Sequence, residues 1–474
     1  MSRAPEQTRR PKERVLVCGL ILPEFGEETA GVLHEARGLV VAAGSEPVGE
    51  PIVQRRQTPD NATLLGRGKV SEVKEAVEIE KPDAVVVDND LSPAQVRNLE
   101  KAWKLRVVDR SELILDIFAR RAQTKQARLQ VELAQHEYLM PRLRRMWTHL
   151  ERTEGAIGTR GPGETQLETD RRLIKKRIFD LRTELKGIEE RKRRQVLSRS
   201  DRFTIGLVGY TNAGKSTLLN TLTGAGELAE DMLFATLDTR TRRWSLSDDR
   251  EVLLTDTVGF LRRLPHHLVA SFQATLEEAL NVDLLLHVVD ASHPDAPDFL
   301  AAVDEVLGDT GGAHREQILV LNKADALEDR LDAAHLVHGR PEPHVLVSAR
   351  TGDGLEELDS MILERLDRRS ALVEITVPFT AGGALAVMRK AASILSEDHD
   401  AERGTILVAR VPDRELGNLR RHAGEDVRIE ILEPATERFF AEDPAAEATP
   451  RPLEYLDPEA GHERDPSDGS ERRA

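Results

Sequence analysis

Apolar positions change period along the chain, and the changes mark its parts. From Glu13 short apolar runs alternate with amphipathic stretches. Val15-Leu16-Val17-Cys18-Gly19-Leu20 reads as a buried strand, Glu28 to Ala36 as a helix, and Leu39-Val40-Val41-Ala42 as a second strand. Lys69 to Ile79 is helical again. Asp83 to Asp88 is an apolar run closed by acid, the pattern of a strand in a parallel sheet. Ser92 is placed to cap a helix that ends at Trp103, and Arg106-Val107-Val108 follows as a strand. Strands alternating with helices predict a small open α/β domain over residues 14–118.

Residues 119–200 follow a different rhythm. Leu129, Leu133, His136, Met140, Leu143, Trp147 and Leu150 recur at spacings of three and four, as do Ile174, Ile178, Leu181, Leu185 and Ile188. Both are seams of coiled-coil type. Between them lies Gly155-Ala156-Ile157-Gly158-Thr159-Arg160-Gly161-Pro162-Gly163-Glu164, which cannot continue a helix. The expectation is an antiparallel helical hairpin with a Gly-rich tip, its first arm kinked at Pro141. The α/β rhythm returns over 201–368. Residues 369–440 read as a small α/β domain: Leu372 to Val377 a strand, Gly383 to Leu395 a helix, Gly404 to Val411 and Val427 to Leu432 strands. Residues 1–13 and 441–474 have few apolar positions and are expected to be disordered. The fold class is therefore α/β and multidomain.

Composition narrows the function. The 474 residues carry 67 Lys plus Arg against 83 Asp plus Glu, a net charge of −16. A single cysteine, Cys18, excludes a disulfide framework and a cysteine-built zinc site. No apolar run is long enough to span a membrane, and the N-terminus lacks the apolar segment of a secretory signal. A cytoplasmic protein is expected. Taken whole, −16 argues against a nucleic-acid partner. Taken by segment it does not. Residues 119–200 hold 21 Lys plus Arg and 11 Asp plus Glu, a net of +10, so the remainder carries −26. A basic arm with an arginine among tip glycines fits RNA phosphate.

The chemistry sits between Gly209 and Arg350. An apolar strand, Phe203 to Val208, runs into Gly209-Tyr210-Thr211-Asn212-Ala213-Gly214-Lys215-Ser216 and then Thr217-Leu218-Leu219-Asn220. This is the GxxxxGK[ST] phosphate loop in its strand–loop–helix setting. Backbone N–H groups and the helix N-terminus cradle phosphates; Lys215 reaches the β/γ-phosphates and the Ser216 hydroxyl ligates Mg²⁺. Asp256-Thr257-Val258-Gly259 closes an apolar strand, with Asp256 on the Mg²⁺ hydration shell and the Gly259 N–H sensing the γ-phosphate. Asn322-Lys323-Ala324-Asp325 closes another. Its aspartate can accept two hydrogen bonds from guanine N1 and N2. Adenine lacks that donor pair, and polar sites of this kind discriminate by roughly 10⁴–10⁵. Asn322 is expected to steady the phosphate loop, and the Lys323 stem to cover the base. Ser348-Ala349-Arg350 follows Val347, with the Ala349 N–H placed for guanine O6. In Phe234-Ala235-Thr236-Leu237-Asp238-Thr239 the candidate to close over Mg²⁺ and the γ-phosphate is Thr236, with Thr239 and Thr241 as alternatives. Four such pieces in order predict a GTP-binding domain.

The slot that holds a water-orienting glutamine in many GTPases is Phe260 here, and a phenyl ring cannot hydrogen-bond water. Intrinsic hydrolysis is expected to be slow and completed by another group. Asn212 offers one: in a subset of P-loop GTPases an asparagine at this place helps hold K⁺. The alternative is an asparagine that satisfies loop hydrogen bonds.

With these residues in hand, the chain resembles the HflX family of ribosome-associated GTPases over roughly residues 14–440. Leu65-Gly66-Arg67-Gly68-Lys69 is similar to its N-terminal GxGK signature. Asp109 to Phe118 followed by Arg121-Ala122 matches its linker helix, Leu129 to Gln135 its first long helix, and Ile157 to Glu168 its most specific block. Ala156 stands where the family has glycine. The resemblance implies GTP hydrolysis stimulated by the large (50S) ribosomal subunit, with the hairpin tip approaching the peptidyl transferase centre. It makes Gly158, Thr159, Arg160, Gly161 and Gly163 candidate rRNA contacts. It implies that stalled or idle ribosomes are split into subunits. Gly66-Arg67-Gly68-Lys69 is not a phosphate loop of the above type; a helix-start anion site and a structural turn both fit. Two other functions stay open: a nucleotide-gated factor that holds the large subunit in assembly or silencing without splitting, and a signalling switch with a protein target. The free protein is expected to be a monomer. GTP turnover is expected to be faster in KCl than in NaCl at equal ionic strength; equal rates would remove K⁺ from the mechanism.

Overall fold

The computed structural model describes residues 12–23, 30–146, 162–197, 203–224, 233–234, 240–257, 259–262, 280–310, 312–422 and 427–436. The two segments expected to be disordered lie outside these, apart from residues 12 and 13. So do Trp147, Leu150, the tip residues Gly158, Thr159, Arg160 and Gly161, and also Ala235, Thr236, Thr239 and Val258.

The first unit is a four-stranded sheet ordered β2-β1-β3-β4, in which every pairing is parallel. Its strands are β1 (Arg14–Ile21), β2 (Glu46–Arg55), β3 (Ala84–Val87) and β4 (Arg106–Asp109). Its helices are α1 (Ala30–Ala42), α2 (Arg67–Glu80) and α3 (Pro93–Trp103). Ser92 caps α3 as expected, in a reciprocal capping box with Gln95. One sequence expectation fails here. Leu39 to Ala42 is the end of α1, not a strand. Leu33, Ala36, Leu39, Val40 and Ala43 are buried while Val41 is 44% exposed, which is the helical period and not the alternation of a strand. The true second strand, β2, holds Pro47 and Pro51. It lies at the sheet edge, where a missing backbone N–H is tolerated.

From β4 the chain turns directly into α4 (Arg110–Arg121) and then α5 (Lys125–Met146), which continues through Pro141. α6 (Pro162–Leu197) pairs with α5. Leu129, Leu133, Ile178, Leu181 and Leu185 are buried between the two, with Met140, Ile174 and Ile188 beside them. Lys125 pairs with Glu184 at 2.5 Å; seven residues on, Glu132 pairs with Arg177 at 2.7 Å, seven residues back. Glu137 pairs with Arg182 at 2.7 Å, so charge pairs flank the apolar seam. The later half of α5 is tied to the first sheet: buried Asp109, at the end of β4, accepts from Tyr138 Oη (2.8 Å) and Arg142 Nη2 (2.7 Å).

The third unit is a six-stranded sheet ordered β10-β9-β8-β5-β7-β6. Its strands are β5 (Thr204–Gly209), β6 (Arg240–Ser245), β7 (Glu251–Asp256), β8 (Leu284–Asp290), β9 (Gln317–Asn322) and β10 (His344–Leu346). All pairings are parallel except β6 on β7. α7 (Lys215–Thr223), α8 (Ala296–Asp309), α9 (Arg330–Val337) and α10 (Leu355–Arg368) complete it. Because the other strands all run the same way, the segments that follow β5, β7, β9 and β10 emerge on one edge. One apolar core spans the first unit, α5 and this domain, including Val15, Leu39, Phe118, Val131, Val208, Phe234 and Phe260.

The last unit is β11 (Ser370–Val377), α11 (Gly382–Ala391), β12 (Ser393–Asp400), β13 (Gly404–Pro412), α12 (Asp413–His422) and β14 (Arg428–Glu433). Its antiparallel sheet is ordered β12-β13-β11-β14. The expected helix stops at Ala391 and Leu395 lies in a strand; α12 has no counterpart among the expected elements. The run Ser393–Asp400 is mostly exposed, so it lacks the buried alternation that marks a strand. Among the described residues no helix is long and apolar enough to cross a membrane.

Leu181 is fully buried in the hairpin seam. Leu181→Ala is expected to cost the hairpin about 2–5 kcal/mol, read as faster amide exchange in α5 and α6 with nucleotide affinity unchanged.

Candidate active site

The phosphate loop follows β5, and its glycines are dictated by geometry. Gly209 has φ +148°, and a Cβ there would lie 2.1 Å from the Val288 carbonyl oxygen. Gly214 has φ +92°, and its Cβ would lie 2.2 Å from Asn322 Nδ2. No side chain fits either place. Lys215 opens α7 and is buried. Its Nζ donates to the carbonyls of Gly209 (2.9 Å) and Tyr210 (2.7 Å). Burial pushes the ammonium pKa down to about 8, only partly opposed by Asp256. Phosphate charge would offset that loss of hydration.

Ser216 Oγ donates to Asp256 Oδ2 at 2.8 Å, so a hydroxyl and a carboxylate stand together where β5 and β7 end. Hard oxygen donors of this kind suit Mg²⁺. Thr217 lies in the first turn of α7, its carbonyl accepting from Thr221 Oγ1 at 3.0 Å. The Thr257 hydroxyl is buried and donates to the Leu207 carbonyl (2.6 Å), bracing β7 against β5. Gly259 packs against the loop: a Cβ there would lie 2.8 Å from Thr211 Cγ2 and 3.1 Å from Lys215 Nζ. Phe260, in the glutamine slot, is 1% exposed. Its N–H donates to Gly209 O (3.1 Å) and its carbonyl accepts from Thr211 N (2.8 Å), so it bridges the phosphate loop and offers nothing to water.

At the base end Asn322 is buried and bridges two loops. Its Nδ2 donates to Ala213 O (2.9 Å), and its Oδ1 accepts from the Ala349 N–H (3.0 Å). Asn322 thus ties the end of β9 to the phosphate loop. The Ala349 N–H, expected to face guanine O6, is instead taken by this amide. Asp325 accepts from Ser348 Oγ (2.6 Å) and pairs with Arg350 Nη2 (2.9 Å). The Ser348 hydrogen bond, then Arg350, holds its pKa below the ordinary value. Arg350 is largely exposed and can swing off the carboxylate. Lys323 has φ +65° and pairs with Asp290 at 2.7 Å.

Phe234, expected at the nucleotide, does not face it: the residue is buried, its ring edge-on to Phe118 of α4 at 4.7 Å. The aromatic is drawn into the core shared with the first unit. Thr241 lies in β6 against Thr255 (3.0 Å). Asn212 has φ +62°, is exposed, and makes no side-chain hydrogen bond to a described residue, so it does not satisfy the loop. Gly66, in the Gly-Arg-Gly-Lys turn, donates its N–H to Gln54 Oε1 (2.7 Å), which accounts for a structural turn. Gly163 lies in the first turn of α6.

Reading the motifs missed residues from the first unit. The Tyr210 hydroxyl hydrogen-bonds to Glu35 of α1, and Glu35 also pairs with Arg110 of α4. Beside them a cleft of about 930 Å³, lined by Arg37, Thr211, Asn212 and Phe299 among others, opens between α1 and the phosphate loop. Nothing local to Glu35 or Arg110 signals this role; it arises from distant chain segments meeting.

Comparison with known proteins agrees with this geometry. Residues 31–119 match a family model described as GTP-binding GTPase N-terminal, residues 121–199 its Middle Region, and residues 204–323 a 50S ribosome-binding GTPase. The chain is 41% identical over 408 residues to GTPase HflX of Caldanaerobacter subterraneus subsp. tengcongensis, covering 86% of this chain and 92% of that one. It is 44% identical over 385 residues to GTPase HflX of Escherichia coli, covering 80% and 89%. A GTP-binding protein of Sulfolobus solfataricus in complex with GDP is 25% identical, covering 74% of this chain and 97% of that one, with a TM-score of 0.41.

Asn322→Ala would leave the Ala213 carbonyl and the Ala349 N–H without their partner. A loss on the order of 1–3 kcal/mol in the ligand-free protein is expected, measured by chemical denaturation, together with weaker GTP and GDP binding by titration.

Proposed function

The chain belongs to the HflX family of ribosome-associated GTPases, and from that premise we propose that it binds the large ribosomal subunit through its basic hairpin and uses its GTP-bound state to split ribosomes. The observation that carries the reading is the surface of α6. Arg172, Lys175, Lys176 and Lys186 are exposed and have no ion-pair partner among the described residues. Leu173 and Phe179 stand exposed near them, 57% and 69%. Cations left unpaired beside an aromatic ring suit RNA phosphate and base together. Gly158, Thr159, Arg160 and Gly161 belong to the same arm by sequence, and the acidic remainder keeps other surfaces off RNA.

In the G domain, Lys215 holds the β/γ-phosphates, the loop N–H groups wrap them, and Asp325 selects guanine. Ser216 and Asp256, with Thr236 closing over them, would hold Mg²⁺, which supplies positive charge to the transferring phosphate. Gly259 follows the γ-phosphate. With Phe260 buried, the attacking water is oriented by a group outside these residues, supplied when the large subunit is bound. Asn212, exposed and without a side-chain hydrogen bond to a described residue, is the side chain free to hold K⁺ beside the phosphate loop. The protein acts as a monomer in the cytoplasm.

The test is a sedimentation profile of empty 70S particles with saturating protein. A non-hydrolysable GTP analogue is expected to convert 70S to subunits and keep the chain on the large one. Lys175→Glu with Lys176→Glu is expected to weaken that binding at least tenfold at low salt and less at higher salt, with GTP affinity unchanged. Intact 70S peaks with the protein bound would replace splitting by a holding role in assembly or silencing. No subunit binding at all would leave only a protein-directed switch.

A further inference from the structure

Lys323 stands between Asn322, which braces the phosphate loop, and Asp325, whose carboxylate accepts from Ser348. Its backbone has φ +65°, a left-handed turn that a non-glycine residue adopts only where its surroundings require it. The Ala324 N–H donates to the Val347 carbonyl at 3.0 Å and the Ala326 N–H to the Lys323 carbonyl at 2.9 Å, and these bonds fix the turn. The side chain leaves β9 and ends on β8, where Nζ meets Asp290 Oδ2 at 2.7 Å. Asp290 closes β8 in register with Asn322. The next N–H, of Ala291, donates to the Asn322 carbonyl at 2.9 Å and holds the two strand ends in step. The acceptor carboxylate is itself held. Asp290 Oδ1 accepts from the Ser292 N–H (3.1 Å) and hydroxyl (2.6 Å), which leaves Oδ2 for the ammonium. The side chains of Asp290 and Lys323 are 14% and 31% exposed, so the pair is more than a loose surface contact.

We propose that Asp290 is a positioning residue for the guanine nucleotide: it tethers the Lys323 ammonium and so lays the four-carbon stem across the ends of β9 and β8 as an apolar platform for the base. The inference rests on the reading that this stem covers the base. A free lysine has many rotamers, and holding one of them on binding costs affinity. Here the stem is fixed at both ends, by the left-handed backbone at one and by Asp290 at the other, so the ordering is done by the fold. Asp290 acts through Lys323 and meets no edge of the base. It therefore strengthens binding of a purine without choosing among purines, and the choice stays with Asp325. Asp290 lies outside the phosphate loop, DxxG and NKxD motifs; only the pairing of β8 with β9 brings it to the lysine.

The full chain and free nucleotides suffice for the test. Affinities for GDP, for a non-hydrolysable GTP analogue and for inosine diphosphate, which lacks the 2-amino group, are measured by titration. Thermal unfolding establishes that each variant is folded. Asp290→Asn keeps the shape and removes the charge. It is expected to weaken all three by the same factor, about two- to tenfold, and in turnover to raise KM by more than it lowers kcat. Distortion of the base site would instead change the ratio of GDP to inosine diphosphate affinity, because Asp325 would move with it. Lys323→Ala is expected to weaken all three by at least as much, and Asp290→Asn in that background to add nothing further. A further loss there, or a changed ratio, would overturn the proposal. Loss from Lys323→Ala with none from Asp290→Asn would overturn it and leave the stem on the base. No loss from Lys323→Ala would overturn the reading and the proposal together.

Discussion

Three chain segments that are far apart in sequence meet on one buried guanidinium. Arg110 takes Asp88 from the end of β3, Glu35 from α1 and the Arg262 carbonyl from the G domain. Removing a charge from water costs several kcal/mol unless its partners are well placed. Burial alone disfavours this cation, yet Asp88 and Glu35 outweigh that and raise its pKa above the ordinary value. The apolar core that runs from Leu39 through Phe118 to Phe234 supplies attraction between the units without specifying their angle. The Arg110 cluster supplies the angle, because few arrangements bring Asp88, Glu35 and the Arg262 carbonyl to one guanidinium.

The same joint explains why Phe260 is tolerable beside Gly259. In many GTPases that place is polar and reaches for water. Here the ring is one of the largest fully buried side chains, and its two backbone groups brace the phosphate loop at Gly209 and Thr211. The slot has been given to packing between the units. A phenyl ring placed this way offers no polar atom to a water beside the phosphate loop.

Net charge is likewise an average over unlike surfaces. A value of −16 describes no single face of this protein. The seam of the hairpin is Leu and Ile, the flanks of the seam are ion pairs such as Arg177 with Glu132, and the cations left over face outward on α6. Pairing the inner charges leaves the outer ones unbalanced, so the positive face is a result of how the two arms meet as much as of composition.

Much of this was legible beforehand. Loop glycines, the lysine that follows them, DxxG and NKxD carry their geometry in adjacent residues, and the hairpin declares itself by spacing. The parallel order of the sheet then brings these pieces to one edge without further instruction. What misled was local hydrophobicity without its period: Leu39 to Ala42 has the composition of a strand, and only burial around α1 shows the helix. Exposed β12 failed in the opposite sense, with too little burial to leave a pattern. Phe234 and the Ala349 N–H were assigned to nucleotide because neighbouring residues belong there, yet the ring was claimed by Phe118 and the amide by Asn322. The sequence by itself determined which chemistry this protein can perform, since a nucleotide site is built from short contiguous motifs. Folding alone brings residues of the first unit up to that site. Glu35, Arg110, Tyr210 and Arg262 span more than two hundred residues, and nothing in any one segment requires the others until folding removes them together from water.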